Sequence, residues 1–573
     1  MVDAVGTKVY AYNSAGRLFT EDGPFGSDTV TNTYTDGVRT ALALQQPTGF
    51  WTNGFINDAA GRLTNVTSQA GSFGYDFRLA GVVRPGSLIR RLNLPNSSYI
   101  TNTVETVARL TGTYLITSGG TTLDSTAYGY DLVGERTAST NAAGAYFHYA
   151  YDNIGQVKVG TSSTSTESTG YAYDSAWNLN WRTNNVLADQ FQVDNKNGLT
   201  AVGGAAYAND GNGNLISGNA GHNTYVYDDE NRLVTWYFLQ TAGSTTDGDR
   251  QTGFTYDGLG RLRKRVEFKF VGTGGTGPGA AASGTWNQIS ETDYIYDRFR
   301  VIQERLSNTP SVSYTRGTDL GGSLEAAGGI GGLLARSSGY SAGNWTSHAY
   351  YHADGNGNIT FLETSSETLA ASYRYDPFGN TLSSSGTLAN ANVYRFSSKE
   401  CHTNSGMYYF LYRFYDPNLQ RWINRDPKGE DGGINLYAAA RNNPITNLDP
   451  DGRGILEWIC KRYFVVTLID PPNLDGGTVP QKCTLDSSYN IGSAHFCNYT
   501  CVPAHAESEA APPPIGVSIQ TPPGWTGGCP SDPGTQWTPP TYVSPIEPPS
   551  LGPAPLNPVP HPRLPPSQAV TFP

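Results

Sequence analysis

Two Asp-Pro-x-Gly motifs lie 23 positions apart, with Asp426 in "NRDPKG" and Asp449 in "NLDPDG". Acid–base cleavage of a peptide bond needs two carboxyl groups that can share a proton, so that one activates water and the other protonates the leaving nitrogen. The intervening segment "INLYAA" brings the two motifs together if it makes a turn. Arg425, beside the first Asp, is a cation that can favour one charged carboxylate and stabilise negative charge on the attacked carbonyl.

The same motif also has a purely structural interpretation. Pro fixes φ, Gly tolerates a positive φ, and Asp accepts a hydrogen bond from the backbone two residues on, so Asp-Pro-x-Gly is a turn sequence. Spacing alone favours the turn, since perturbed carboxylates indicate function only statistically. The elements that position the two motifs therefore decide between the interpretations.

A repeat precedes the motifs and organises most of the chain: Tyr-x-Tyr-Asp, then Gly or Asn, then an aliphatic residue. Copies occur at Tyr10–Leu18, Tyr128–Arg136, Tyr149–Val157, Tyr171–Leu179, Tyr225–Leu233, Phe254–Leu262, Tyr294–Ile302 and Tyr373–Leu382. The two rings of a copy point to one face of a strand, Asp opens a turn, and Gly or Asn supplies the positive φ. Each copy thus predicts half of a β-hairpin, and stacked copies predict one long winding sheet.

The rows of tyrosine allow two interpretations. They form a structural ladder in the core, or they are platforms on which sugars or bases stack. Tyr at strand period usually reports a core, so the ladder is favoured.

Composition limits the classes of function. Gly 67, Pro 35, Tyr 36 and only 15% charged residues are typical of many short strands joined by turns. A net charge of -11 argues against nucleic-acid binding by the body of the protein. No stretch is apolar for long enough to predict a membrane helix, and the N-terminus lacks the features of a Sec signal peptide. We expect a secreted or cell-surface protein, exported by a non-Sec route or through an N-terminal region that this chain lacks.

The Tyr-Asp copies resemble the YD repeats of the RHS family, which includes bacterial RHS proteins, the C components of insecticidal toxin complexes and the teneurins. The block Val393–Gly452 resembles the RHS repeat-associated core domain, because Tyr-Arg-Phe, Gly-Met-Tyr-Tyr, Arg-Phe-Tyr-Asp-Pro, Gln-Arg-Trp-Ile, Arg-Asp-Pro, Asn-Leu-Tyr and Asn-Asn-Pro follow in order. The resemblance implies an all-β fold, a spirally wound antiparallel sheet of hairpins forming a complete or incomplete hollow shell. It implies three regions: repeats at 1–372, the core domain at 373–452 and a variable tail at 453–573.

The resemblance also implies a built-in aspartyl-type protease that releases the C-terminal segment as cargo. The matching positions are Arg425, Asp426 and Asp449, with the cut between Gly452 and Arg453. An aliphatic residue normally follows that Gly in the family, so Arg453 departs from the pattern.

The tail differs in composition from the repeats. It holds 24 of the 35 Pro and five of the six Cys, which predicts a mostly disordered tether with a short ordered patch at Gly454–Asp470. His495 with Cys497 and Cys501 is only half of a metal motif, so disulfides with one thiol left over are favoured. We expect no metal and no cofactor.

Three hypotheses for function remain. The first is a shell protein of a bacterial polymorphic-toxin or contact-dependent competition system, with a secretion system or a shell-completing chain as partner. The second is a non-enzymatic surface or wall-associated protein whose repeats bind carbohydrate or a partner. The third is a truncated RHS remnant without independent activity.

Overall fold

The computed structural model describes residues 1–77, 88–105, 109–184, 187–273 and 283–455, and the tail strands at 481–491, 494–503 and 515–520. The chain divides into two compact units, Met1–Val466 and Thr467–Pro573. The described residues form 42 strands and five short 3-10 helices, with no α-helix among them. The predicted all-β class with long antiparallel sheets is confirmed, whereas the boundaries at 372 and 452 stay predictions.

The first sheet of the larger unit runs in chain order from β3 to β21, after a small hairpin of β1 (Val2–Asp3) and β2 (Gly6–Thr7). Consecutive strands pair antiparallel. The strands are Val9–Tyr12, Leu18–Asp22, Val30–Thr35, Val38–Gln45, Phe50–Asn57, Leu63–Ser68, Gly71–Asp76, Arg91–Asn93, Tyr99–Val104, Leu110–Ile116, Thr122–Tyr130, Arg136–Asn141, Tyr146–Tyr151, Val157–Ser162, Thr169–Tyr173, Leu179–Asn184, Leu187–Val193, Leu199–Val202 and Ala205–Ala206.

The second sheet follows the same rule from β22 to β35. Its strands are Ala208–Asn209, Leu215–Gly218, Asn223–Tyr227, Leu233–Phe238, Arg250–Tyr256, Leu262–Thr273, Ser283–Asp297, Arg300–Leu306, Thr309–Arg316, Leu333–Ser341, Asn344–Ala353, Ile359–Thr364, Leu369–Tyr375 and Thr381–Ser385.

The Tyr-x-Tyr-Asp copies form the turns that their sequence predicts. Between β13 and β14, the Asp131 carboxylate accepts the backbone N–H groups of Val133 at 3.0 Å and Glu135 at 2.8 Å. Gly134 has a φ of 91°, which favours glycine. The same pair of hydrogen bonds recurs at Asp152, Asp174, Asp228, Asp257 and Asp376.

In most copies, though not in the first, the second tyrosine ties its hairpin to the preceding one. Its hydroxyl donates to the backbone carbonyl that opens the return strand of that earlier hairpin. The pairs are Tyr130 with Leu110 (2.7 Å), Tyr173 with Val157 (2.8 Å), Tyr227 with Leu215 (2.9 Å), Tyr256 with Leu233 (2.7 Å), Tyr296 with Leu262 (2.8 Å) and Tyr375 with Ile359 (2.8 Å). These rings are buried or half-buried, so the ladder interpretation is confirmed.

The two sheets meet directly over part of their area. Trp51 of β7 packs edge-on against Trp345 of β32, and Phe73 of β9 packs against Tyr350, with ring centroids 5.8 Å apart in both pairs. Trp51 and Phe73 have no exposed surface. At these positions side chains of both sheets fill the space between them, without a hollow.

A small four-stranded sheet follows, with strands β36 (Glu400–Cys401), β37 (Tyr408–Tyr409), β38 (Phe414–Asp416) and β39 (Arg421–Trp422). The 3-10 helices lie at Ser165–Glu167, Asn219–Gly221, Phe396–Ser398, Gly429–Gly432 and Ala440–Asn442.

From Asn424 onward the chain is held against the turns of the repeats by asparagine amides. These donate at 2.7 to 2.9 Å to turn carbonyls, in the pairs Asn424 with Asn231, Asn435 with Ala176, Asn442 with Trp177 and Asn443 with Gly155. The backbone is thereby fixed on both sides of Asp426 and before Asp449.

The second unit contains an antiparallel sheet of β40 (Gln481–Ile491), β41 (Ala494–Pro503) and β42 (Ile515–Gln520). The predicted tether therefore includes three strands. Apart from Gly454 and Ile455, the ordered patch expected at Gly454–Asp470 lies outside the described residues. The part of the chain that the structure describes holds no helix with the length and apolarity to cross a membrane.

Candidate self-cleaving site

Asp426 and Asp449 converge on one guanidinium group, that of Arg413. Nη2 of Arg413 lies 2.6 Å from Oδ2 of Asp426 and 3.8 Å from Oδ2 of Asp449. Both distances are measured from the same nitrogen, so the separation of the two Oδ2 atoms cannot exceed the sum of the two distances. All three residues are buried: Arg413 is 3% exposed, Asp426 8% and Asp449 6%. The structure thus brings together the two carboxylates whose spacing suggested a joint site.

The segment between the motifs makes the turn that this convergence requires. The Asp426 N–H donates to the Leu436 carbonyl at 3.0 Å, and the Trp422 N–H donates to the Tyr437 carbonyl at 2.9 Å. Nη1 of Arg413 donates to the same Leu436 carbonyl at 3.0 Å. The "INLYAA" segment therefore runs back along β39 and the first motif, and Arg413 fastens it there.

The peptide bond between Gly452 and Arg453 lies against this cluster. Nε of Arg413 donates to the Gly452 carbonyl oxygen. Oδ1 of Asp449 accepts the N–H groups of Gly452 at 2.8 Å and Arg453 at 3.2 Å. The carbonyl oxygen and the nitrogen of one peptide bond are thus each contacted by a charged side chain.

Glycine is required at the first residue of that bond. Gly452 has a φ of 82°, and a Cβ there would lie 3.3 Å from Cβ of Phe410 and 3.4 Å from Cβ of Arg413. A side chain at this position would strain the backbone and press on the guanidinium-bearing residue.

Burial shifts the pKa values of Asp449 and Arg413 away from their ordinary values. It raises the pKa of Asp449 to about 6, against the opposing effect of the Arg413 charge. It lowers the pKa of Arg413 to about 10, so this guanidinium remains charged near neutral pH. Near neutral pH a fraction of Asp449 therefore carries a proton.

The loop that contains Asp449 is held from its other side by Lys399. Nζ of Lys399 donates to the Pro450 carbonyl at 2.5 Å and to the Gly328 carbonyl at 3.0 Å. Burial lowers the pKa of Lys399 to about 8. A Cβ at Gly328 would lie 2.1 Å from the Pro450 oxygen, so the backbones approach closely here.

Arg425, which the sequence suggested as the cation of the site, lies elsewhere. Its side chain is exposed and lies beside Gly213 and Tyr437, and among the described residues it forms no ion pair with either carboxylate. The structure places Arg413 in that position. One sequence signal could have indicated it: Arg413 is the single cation in the aromatic run "MYYFLYRFY", and a cation in a buried run needs a carboxylate partner.

No family model matches the chain. The tRNA nuclease WapA of Bacillus subtilis (strain 168) is 26% identical over 340 residues, which cover 58% of this chain and 12% of that protein. Double-stranded DNA deaminase toxin A of Burkholderia cenocepacia (strain H111) is 24% identical over 337 residues, which cover 57% of this chain and 22% of that protein. Because the chain spans so little of either relative, their nuclease and deaminase activities are not assigned to it.

Among solved structures, the Tc holotoxin pore of Photorhabdus luminescens matches with a TM-score of 0.53 and 17% identity, over 78% of this chain and 25% of that chain. A likeness at this identity concerns the fold alone. The chain therefore resembles bacterial toxins in sequence and a component of a Tc toxin in fold, in agreement with its resemblance to the RHS family.

Proposed function

We propose that this chain is a toxin-associated RHS-type shell protein that cuts its own backbone between Gly452 and Arg453. The observation that carries the proposal is the convergence of Arg413 and Asp449 on that one peptide bond, with Asp426 beside them. A pair of structural turns does not require a buried guanidinium between two carboxylates.

Each group has a role that its position supports. Asp426 takes a proton from a water molecule as the water oxygen bonds to the Gly452 carbonyl carbon. Nε of Arg413 stabilises the negative charge that forms on the carbonyl oxygen. Protonated Asp449, within hydrogen-bond reach, donates its proton to the Arg453 nitrogen as the carbon–nitrogen bond breaks.

The products are a carboxylate at Gly452 and an amine at Arg453. Asp426 then loses its proton to solvent and Asp449 regains one, so the step needs only water. No metal or cofactor takes part in the proposed reaction.

The test is the intact mass of purified, folded protein. Wild type is expected as two fragments, residues 1–452 and 453–573, and Asp426→Asn and Asp449→Asn are each expected as one uncut chain. Glu430→Gln is the matched control, because Glu430 is an exposed carboxylate in the loop next to Asp426. A folded wild-type chain that stays whole contradicts the proposal, as does a cut that persists in both site variants.

We further propose that residues 453–573 are the cargo and that another chain or an N-terminal extension completes the enclosure. The two sheets contact each other directly at Trp51 and Trp345, so side chains and not cargo fill the space between the sheets there. This supports a shell wall that is completed by residues from outside this chain. The tyrosine rows offer little to a carbohydrate, since their hydroxyls bond neighbouring hairpins. Size-exclusion chromatography of the cut protein tests retention: fragments that separate without denaturant contradict it.

The proposed setting is a secreted or cell-surface toxin system. Support comes from the similarity to toxins named above. Expression of residues 453–573 alone in bacteria tests whether the released segment is toxic, and unimpaired growth at a confirmed level of expression contradicts a toxic role.

A further inference from the structure

We propose that Tyr412 and Asp451 form a subsite that selects a cationic side chain at position 453, directly after the proposed cut. The inference rests on the proposed self-cleavage and specifies its substrate preference. It accounts for Arg453, the residue at which this chain departs from the aliphatic pattern of the family it resembles.

The Arg453 guanidinium is held on two sides. Its Cζ lies 3.7 Å from the centroid of the Tyr412 ring. Its Nη2 and Nε lie 2.7 Å and 3.1 Å from Oδ2 of Asp451. A planar guanidinium can stack on a ring and bond a carboxylate at once, whereas an ammonium group is a compact point charge that fits this arrangement less well.

The binding of the Arg453 side chain in the subsite is linked to the position of the Arg453 backbone nitrogen, which is the leaving nitrogen of the proposed cut. The Tyr412 N–H donates to the Asp451 carbonyl at 3.2 Å, which joins the ring-bearing residue to the cleavage loop. The Arg453 N–H lies 3.1 Å from Oδ1 of Asp451 and 3.2 Å from Oδ1 of Asp449. Tyr412 also directly precedes Arg413, so the ring and the proposed oxyanion donor are fixed by the same stretch of backbone.

Space does not limit the residue at this position. A cavity of about 430 Å³ opens beside Arg453 and continues towards Ile455. Acidic Glu325 and Asp431 and basic Lys428 also line it. An aliphatic side chain therefore fits, but it leaves Asp451 without its cation and the ring of Tyr412 without its partner, so the selection is by charge.

The first test measures self-cleavage rates for variants at position 453. Relative to wild type we expect Arg453→Lys to be about 3-fold slower, and Arg453→Leu about 10-fold slower, from the loss of a cation–π contact and a partly exposed ion pair. Arg453→Glu should be slower than Arg453→Leu, because it places a second carboxylate beside Asp451. Equal rates for wild type and Arg453→Leu overturn the proposal.

A double-mutant comparison assigns the effect to the subsite. Asp451→Asn and Tyr412→Ala should each slow wild type, yet have little added effect on Arg453→Leu, because the contact is already lost. Effects that multiply in the double variants overturn the assignment. Tyr412→Phe retains the ring and should remain near the wild-type rate, and Arg425→Ala, an exposed arginine outside the subsite, is the matched control.

A readout independent of self-cleavage separates this inference from the proposed function. In the Asp426→Asn background, trypsin can cut after Arg453 only when the side chain leaves the subsite. We expect Asp451→Asn and Tyr412→Ala to speed that cut about 10-fold, by the loss of the same contacts, with cutting after exposed Lys196 unchanged as the internal reference. Unchanged cutting after Arg453 overturns the subsite even if the protein cleaves itself. An uncut wild type overturns the proposed function and the preference at the cut, and faster trypsin cutting in the two variants would then show only that Tyr412 and Asp451 hold the Arg453 side chain.

Discussion

Two aspartates in one site acquire different roles through their surroundings. Asp426 lies closer to the Arg413 guanidinium, and its Oδ1 accepts the Lys428 N–H at 2.8 Å. Asp449 is further from that cation, and burial raises its pKa to about 6. This is the division that acid–base cleavage needs, one carboxylate to take a proton and one acid to give it.

The pKa of Asp449 predicts how self-cleavage depends on pH. The acid must be protonated, and the protonated fraction falls as pH rises through about 6. The first-order rate of cutting should therefore rise from pH 8 to pH 6.5, approaching tenfold per pH unit well above the pKa. A time course of the two fragments by gel or mass spectrometry measures it, with the control variant Glu430→Gln expected to give the same profile. A rate that is flat or rises with pH excludes Asp449 as the acid.

Gly432 provides a second test at the level of one residue. A Cβ at Gly432 would lie 2.5 Å from Oδ2 of Asp426, so Gly432→Ala must displace the carboxylate from Arg413 or shift its own loop. We expect self-cleavage at least about 10-fold slower, because a displacement of about 1 Å at a reacting group has an effect of this size or larger. Gly211→Ala is the control, since a Cβ at Gly211 meets nothing within 4 Å. An unchanged rate in Gly432→Ala argues against Asp426 as the base.

At the scale of elements, the tyrosine ladder links consecutive hairpins and should contribute to stability. Tyr256→Phe removes the hydroxyl that donates to the buried Leu233 carbonyl at 2.7 Å and leaves that acceptor unpaired. The expected cost is about 1–3 kcal/mol in the free energy of unfolding, measured by urea denaturation. Tyr12→Phe is the matched control, because Tyr12 is the second tyrosine of its copy but is 63% exposed, and its effect should stay within about 0.5 kcal/mol. Equal effects at the two positions would falsify the ladder as a source of stability.

Hairpins were predictable from sequence because their chemistry is local. In a copy such as Tyr149–Val157, every group that forms the turn lies within nine residues, so Asp152 and Gly155 are enough to predict the turn. The convergence of Asp426 and Asp449 was also predictable, because one short segment had to turn back. The cation was predicted wrongly as Arg425, its neighbour in sequence, because Arg413 comes to the carboxylates through the pairing of β38 with β39. Its place in an aromatic run indicates that Arg413 needs a carboxylate partner, but not which one.

At the scale of the whole molecule, buried ion pairs join the first sheet to the second. Nζ of Lys8 and Nε of Arg261 each lie 2.8 Å from Oδ2 of Asp257, and Arg261 also pairs with Glu21. The side chains of Lys8, Glu21, Asp257 and Arg261 are all less than 10% exposed. Buried pairs of this kind are weak evidence for net stability, but removal of one partner leaves a desolvated charge.

Arg261→Met should therefore destabilise the protein strongly at pH 7. It leaves Asp257 with Lys8 and with Arg263 at 3.7 Å, and Glu21 with Arg263 at 3.9 Å, at a cost of about 3–5 kcal/mol in the free energy of unfolding. The matched control is Arg232→Met: Arg232 also follows its partner Asp228 by four residues, but this pair is about a quarter exposed, so its loss should cost less than about 1 kcal/mol.

The pH dependence of that cost identifies its origin. In wild type, burial raises the pKa of Asp257, but the larger opposite effect of Arg261 and Lys8 leaves it below the ordinary 3.8. The ionised Asp257 therefore stabilises the folded protein above pH 3.8, and this contribution is lost as pH falls through the lowered pKa. Without Arg261 the effect of burial on Asp257 is opposed by less positive charge, so protonation of Asp257 should relieve part of the cost as pH falls. The stability gap between Arg261→Met and wild type should accordingly narrow between pH 7 and pH 4. A gap of the same size at both pH values would instead assign the effect to lost packing of the Arg261 side chain on the ring of Tyr296, 5.3 Å away.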